Sequence, residues 1–557
     1  MGPMTSGKKL PLIPAITLSL ALAVSLLLSS CNYRLWQYPF GSPPPFDTSL
    51  LAEGISSSEI NLSWTMPVEE PDTRVFQVYR DNVLIASTAS HFYTDTGLAT
   101  ESAHEYYVIA SDGTAELLRT VTVTAAAYPA GNTFYIDPAS GSMSNSGSSG
   151  SPWHTLQEVI EAGFIEMKAY ATPYEEGADM ITVNGGAHIQ GGDTLILRSG
   201  YHGEIYLRSA CNERFITIKA QAGHTPTVSR VTFLAASRWR LNGVTITQEA
   251  APVYERSTLV SVASGNWHGP TDHIIVENCD IYSINDASSW SAEQWDTLSC
   301  NGIGCTGEES RFLNNTLRNC NFAISIDGKR NLVRGNRVIN FAGDGMRGNG
   351  HDLVFEYNTV KNCYAVNLNH DDGFQSFSVN GAPPWERVVL RGNIIINRDD
   401  PAQPLQGSLQ GIGCFDGFYI DWIIENNVVV VDHWHGISLY GALNCRVMNN
   451  TVINPYSDRD TWILINPHKD GRPSADCLVR NNITENIIIT TGASEDHNYI
   501  LERNFNLFEN AGGFIFSLAA DAASLIDTGS PDMAPLYDIE ESARPSGNGV
   551  DIGAYER

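Results

Sequence analysis

The chain is 557 residues long, 42% apolar and 17% charged, the balance of a folded protein of several domains and not of a disordered one. Its formal net charge of −28 excludes a general attraction to polyanions, so nucleic acid is not a partner and any acidic substrate needs a local cation.

Lys8 and Lys9 precede an apolar stretch from Leu10 to Leu28, followed by Ser29, Ser30 and Cys31. That order reads as a secretory signal, with an uncleaved anchor as the alternative. Leu28-Ser29-Ser30-Cys31 resembles the lipobox of bacterial lipoproteins. The resemblance implies a signal over 1–31, acylation of Cys31, and a lipid-anchored protein of the cell envelope. Asn32 after the cysteine favours the outer membrane or cell surface. No other segment is long and apolar enough to span a bilayer, so membrane contact is expected through the lipid only. Residues 32–46, with Pro43-Pro44-Pro45, read as a stiff polar tether.

From 47 to 128 come short alternating runs, INLSWTM, FQVYRD, HFYTDTGL, HEYYVIASD and RTVTVTAA, whose regular spacing predicts a small β-sandwich. The stretch resembles a fibronectin type III domain, with Trp64, Tyr79 and Tyr106 where core aromatics belong and His104 where that family has its corner tyrosine. Its expected role is spacing. In the next segment Thr155 is an N-cap with Glu158 three residues on, and Leu156, Val159, Ile160 and Phe164 share one helical face. Such a helix can cover the open end of a first coil.

Between 270 and 490 an apolar pair, two variable residues, Asn and a further apolar run recur eight times. The shared residue is Asn278, Asn315, Asn336, Asn358, Asn393, Asn427, Asn450 and Asn482, at spacings of 37, 21, 22, 35, 34, 23 and 32. A unit of about 22 residues with loops added in the longer intervals is the coil of a parallel β-helix. The opening of this region and its close, Val550-Asp551-Ile552-Gly553-Ala554-Tyr555, resemble secreted bacterial β-helix proteins of the pectin-lyase-like superfamily. The expected fold is therefore all-β, a right-handed parallel β-helix over 132–557 preceded by the fibronectin type III-like sandwich, in a monomer. Nine cysteines follow Cys31, an odd number. Cys320, Cys363, Cys445 and Cys477 read as stacked core positions, and Cys300 and Cys305 as the better disulfide pair.

A second phrase, polar residue, Gly, apolar residue, variable residue, occurs in four successive coils. The copies are Asp344-Gly345-Met346-Arg347, Asp372-Gly373-Phe374-Gln375, Gln410-Gly411-Ile412-Gly413 and His435-Gly436-Ile437-Ser438. Coils stack ~4.8 Å apart, so Arg347, Gln375, Gly413 and Ser438 should form one outward column and Asn349, Phe377, Phe415 and Tyr440 the next. Asp344, Asp371 and Asp372 should then emerge at a groove mouth beside His370 and His435. Carboxylates that close either bind a metal or exchange protons. Phe377, Phe415, Trp434 and Tyr440 suit stacking on sugar rings.

The Asp pattern resembles calcium-dependent pectate lyases of family nine of the polysaccharide lyases. Asp344 matches that family's first Asp, and Asp371 and Asp372 its pair. Gln375 replaces a further Asp, and Gly413 stands where the base lysine belongs. The resemblance implies a Ca2+ held by Asp344, Asp371 and Asp372, and β-elimination from a uronic-acid-containing polysaccharide. Arg347 is then the first candidate cation or base, with His435 and His370 as alternatives. Gln375, Gln410 and Lys469 join the aromatics as substrate contacts. Asp344, Asp371-Asp372 and Trp434-His435-Gly436 also resemble the series in polygalacturonases, which makes a glycoside hydrolase the alternative. An inert glycan-binding protein is the third reading.

Overall fold

A computed structural model describes residues 50–64, 75–88, 90–111, 116–117, 122–378 and 383–557. The expected signal, lipidated Cys31 and tether lie outside these residues. Two small antiparallel sheets come first. Leu50–Gly54, Glu59–Trp64 and Phe92–Thr96 form one, and the other is built on Val75–Arg80 between Val83–Thr88 and Ala103–Ser111. They enclose Leu50, Ile60, Leu62, Trp64, Phe76, Val78 and Tyr106, an arrangement that fits a β-sandwich. Tyr79 is not a core aromatic as expected. Alternation along its strand turns residues 76 and 78 inward, so Phe76 takes that place and Tyr79 stacks on Tyr107 with ring centroids 4.7 Å apart.

The sandwich packs against the solenoid. Arg238 donates to Glu53 and Arg240 to Glu59, both at 2.6 Å, and Ser90 donates to Glu356 at 2.9 Å. Phe92 packs on Leu332, Val354, Val389 and Ile423. These four pair in register across successive coils and make an outward apolar column. Left bare, that column would be an exposed patch, and covering it favours docking.

The solenoid opens with the helix Leu156–Glu161, whose reciprocal Thr155–Glu158 capping box is present and whose Leu156 and Val159 are buried. Parallel pairing then runs coil to coil in two interleaved ladders of a 24-stranded sheet and a third stack of 12 strands. These are the faces of a parallel β-helix around one continuous core from Ile136 to Val479.

An asparagine ladder runs through the core. The Asn336 amide donates to Asn358 Oδ1 at 3.0 Å, and the same bond recurs from Asn358 to Asn393, Asn393 to Asn427 and Asn427 to Asn450. The reading of Asn278 as its first member is corrected: Asn278 is exposed, with φ 54°. Cys279 holds the ladder place and donates its N–H to Asn315 Oδ1 at 3.0 Å. Asn498, missed from sequence, extends the far end by accepting from Asn482 at 2.9 Å.

The nine described cysteines are buried free thiols, so the Cys300–Cys305 disulfide is also corrected. Cys300 immediately precedes the strand Asn301–Cys305 and Cys305 ends it. At ~3.3 Å per residue their Cα atoms are too far apart to bridge.

Candidate functional site

The four copies of the second phrase share one ladder. Arg347 pairs with Gln375, Gln375 with Gly413 and Gly413 with Ser438, the column expected. Asp372 is in register with Gln410, and its N–H donates to Asp344 Oδ1 at 3.0 Å, so Asp344, Asp372, Gln410 and His435 head successive rungs. The glycine of each phrase faces the core. A Cβ on Gly345 would lie 2.3 Å from Val360, and one on Gly373 2.3 Å from Ile395. The chain bends there, which brings the first and fourth residues of the phrase to one side. Asp344 pairs with Arg347, Gln375 donates to Asp372 Oδ2 at 2.9 Å, and His435 Nδ1 meets Ser438 Oγ at 2.8 Å.

The carboxylates do not emerge at a groove mouth: Asp344 is 1% exposed and Asp372 0%. Arg347, Gln375 and Phe415 lie over them. Burial pushes both carboxyls up. On Asp344 the Arg347 guanidinium opposes that push, whereas Asp372 is raised further by the charge of Asp344. With the one cation, Arg347, on Asp344, the stacked pair favours keeping a proton, and the upward push is unopposed by an ion pair on Asp372. Asp372 Oδ1 and Gln410 Oε1 are buried acceptors without a partner among the described residues. Gly413 makes the room, since a Cβ there would lie 2.2 Å from Asp372 Oδ1 and 2.6 Å from Phe415.

Asp371 is set apart from this pair. It accepts from Asn369 at 3.0 Å and from the Cys363 thiol at 3.6 Å, and burial first, then the Asp344 charge, raises it to about 7. His370 is exposed in the preceding loop, on the side of His433. His435 Nδ1 accepts from the Trp462 indole at 3.2 Å, so its proton is assigned to Nε2. Burial holds it down to about 4, so it is neutral near pH 7 with Nδ1 taken up by the indole.

The aromatic column is only partly as expected. A bulge after Ser376 carries Phe377 opposite Asp416 instead of Phe415, because one extra residue shifts every later pairing. Phe415 packs on His435 at 4.8 Å and on Tyr440 at 5.6 Å. Lys469 is spent on Asp416 at 2.6 Å, away from the carboxylate pair. Sequence reading missed Phe322, whose ring lies 3.8 Å from the Arg347 guanidinium carbon, and Trp462. Both occupy rungs of the ladder whose phrase lacks the glycine, and so carried no signal.

Together these features define a parallel β-helix with a buried, stacked carboxylate pair on one face. A family model described as a right handed beta helix region matches residues 242–408. An alpha-amylase of Niallia circulans is 33% identical over 94 residues, 17% of this chain and 7% of that protein. The chain therefore spans a small fraction of that relative's length. Among solved structures, a pectate lyase is 14% identical over 77% of this chain and 97% of its own, at a TM-score of 0.36. A Yersinia enterocolitica family 28 exopolygalacturonase is 12% identical over 81% and 98%, at 0.37.

Calcium, implied by the lyase resemblance, does not fit this donor set. Asp344 is engaged by Arg347 and the Asp372 N–H, and Asp371 by Asn369 and Cys363. Among the described residues no three His, Cys, Asp or Glu side chains gather around one point for a metal.

Proposed function

We propose that this protein cleaves glycosidic bonds of a polysaccharide, with Asp372 giving its proton to the leaving oxygen and ionised Asp344 as the carboxylate partner. The observation that carries the reading is the stacked pair with a single cation, Arg347, on one member. A protonated acid beside an ionised carboxylate is the equipment of glycoside hydrolysis. Gln375 and Phe415, which lie over the pair, are partly exposed, and this reading requires them to turn aside for a sugar to reach Asp372.

Elimination is the second reading, favoured by Arg347 itself. Its guanidinium is held over Phe322 and lies 5.8 Å from Phe377, and a cation there suits a uronate whose α-proton must be acidified before a base removes it. The test is a panel of uronate-rich and neutral polysaccharides, with and without chelator. New reducing ends without ultraviolet absorbance select hydrolysis. Absorbing unsaturated uronide selects elimination, and its loss with chelator restores the calcium reading. Binding without cleavage leaves an inert glycan-binding protein and overturns the proposal. By the lipobox resemblance the same protein sits on the cell envelope through Cys31, and fatty-acid labelling that survives Cys31→Ala would refute that placement.

A further inference from the structure

We infer that the aromatic surface two and three rungs beyond Asp372 is a subsite for an uncharged sugar ring, with Trp434 and Trp462 as stacking faces and His433 and His435 as hydrogen-bond donors. The inference rests on the cleavage reading only for where the glycan continues along the solenoid. His435 follows Gln410 on the ladder and pairs with Trp462, which places them roughly 10 and 14 Å from Asp372 at ~4.8 Å per rung. The Trp434 and Trp462 rings stack on one another with centroids 6.1 Å apart and planes inclined by 23°, which makes one continuous two-ring aromatic surface. Trp434 is 42% exposed, whereas Trp153, Trp239, Trp295 and Trp422 are fully buried. An apolar ring with a polar edge held in water at the end of a catalytic ladder suits a sugar face.

The polar groups point to a neutral ring. His433 Nδ1 accepts the His435 N–H at 3.1 Å, and His435 Nδ1 accepts from Trp462. Each imidazole therefore carries its proton on Nε2, where it can donate. Burial first, then neighbouring positive groups, holds both to about 4, so neither offers a charge to a carboxylate at neutral pH. Arg459 lies 5.1 Å over Trp434 and would favour an acidic sugar, but exposed Asp458 and Asp460 flank it in the chain. Ser408 and Arg459 both donate to the Asp432 carbonyl, at 3.5 and 3.4 Å, so two loops flank the surface.

The test uses the full chain carrying Asp372→Asn, titrated with neutral hexose oligosaccharides and, separately, with oligogalacturonates while tryptophan emission is followed. Neutral oligosaccharides should shift the emission, and adding Trp434→Ala should weaken their binding about tenfold, with Trp434→Phe retaining most of it. Absence of neutral binding, unchanged affinity in Trp434→Ala, or tighter binding of oligogalacturonates would overturn the subsite. If binding behaves as expected while the native protein cleaves nothing, the cleavage reading fails and the subsite stands. If cleavage is found and Trp434→Ala binds as its parent does, the reverse holds.

Discussion

Asp372 has one oxygen bonded to Gln375 and the other lying over Gly413 with no partner. A carboxyl in that setting is cheaper to keep protonated than charged, and the same protonation makes it an acid. Function and stability therefore pull against each other at this residue. Asp372→Asn keeps the shape and the Gln375 contact but has no proton to give. Turnover of the cleaved polysaccharide should fall by about 10²- to 10⁴-fold while the melting temperature rises, both measured on one preparation. Asp371 makes a separate prediction. Its folded pKa of about 7 lies above the ordinary 3.8, so its contribution is complete below about pH 4 and is lost as pH rises through 7, on the order of 4 kcal/mol in all. Thermal scans between pH 4 and 8 should show that slope, and Asp371→Asn should flatten it.

At the scale of the element, each coil turns at a residue of positive φ and then places a ladder asparagine. Asn314, Gly335, Tyr357, Gly392, Asn426, Asn449 and Asn481 take the turn. Asn393 donates to the Phe355 carbonyl at 2.8 Å and accepts from the Asn358 N–H and amide at 3.1 and 2.9 Å. Asn393→Ala leaves several buried groups unpaired and should cost roughly 3 kcal/mol, read as a lower urea midpoint at unchanged slope. The exposed Asn278→Ala should cost only about 1 kcal/mol, from the left-handed backbone at φ 54° and not from the ladder. The repeat interval was legible because a buried amide that must bond above and below tolerates few replacements. The frame of the first coil was not, because the left-handed turn position also welcomes asparagine, and Asn278 stood one place before a ladder residue that is a cysteine. The column of Arg347, Gln375, Gly413 and Ser438 was legible for the same reason of fixed period. Phe377 was not, since a single-residue bulge leaves no mark in composition.

At the scale of the whole molecule, sandwich and solenoid are joined through charge as well as through Phe92. His273 lies among Asp272, Glu309 and Glu53, at 2.6, 3.0 and 3.4 Å. Burial alone would lower its pKa, but the bonds to Asp272 and Glu309 outweigh that and raise it to about 9 from 6.5. Its stabilisation is complete below about pH 6.5 and is lost as pH rises through 9. Calorimetry should therefore show one cooperative transition at pH 6 that weakens towards pH 9. Glu53→Ala, which also strips Arg238 of its partner, should split sandwich from solenoid into two transitions at neutral pH.

The chain by itself determined the coil, its period and the set of residues that share a rung, because strand alternation and a regular repeat are local properties that read directly from order along the polymer. Only the tertiary structure decided that Asp344 and Asp372 are buried against one another, which nitrogen of His435 accepts a hydrogen bond and which face the sandwich covers. Those depend on desolvation and on neighbours brought from other coils: Arg347 beside Asp344, Trp462 beside His435, and Glu53 reaching Arg238 from the sandwich. Such partners act through distance in space and leave no pattern along the sequence.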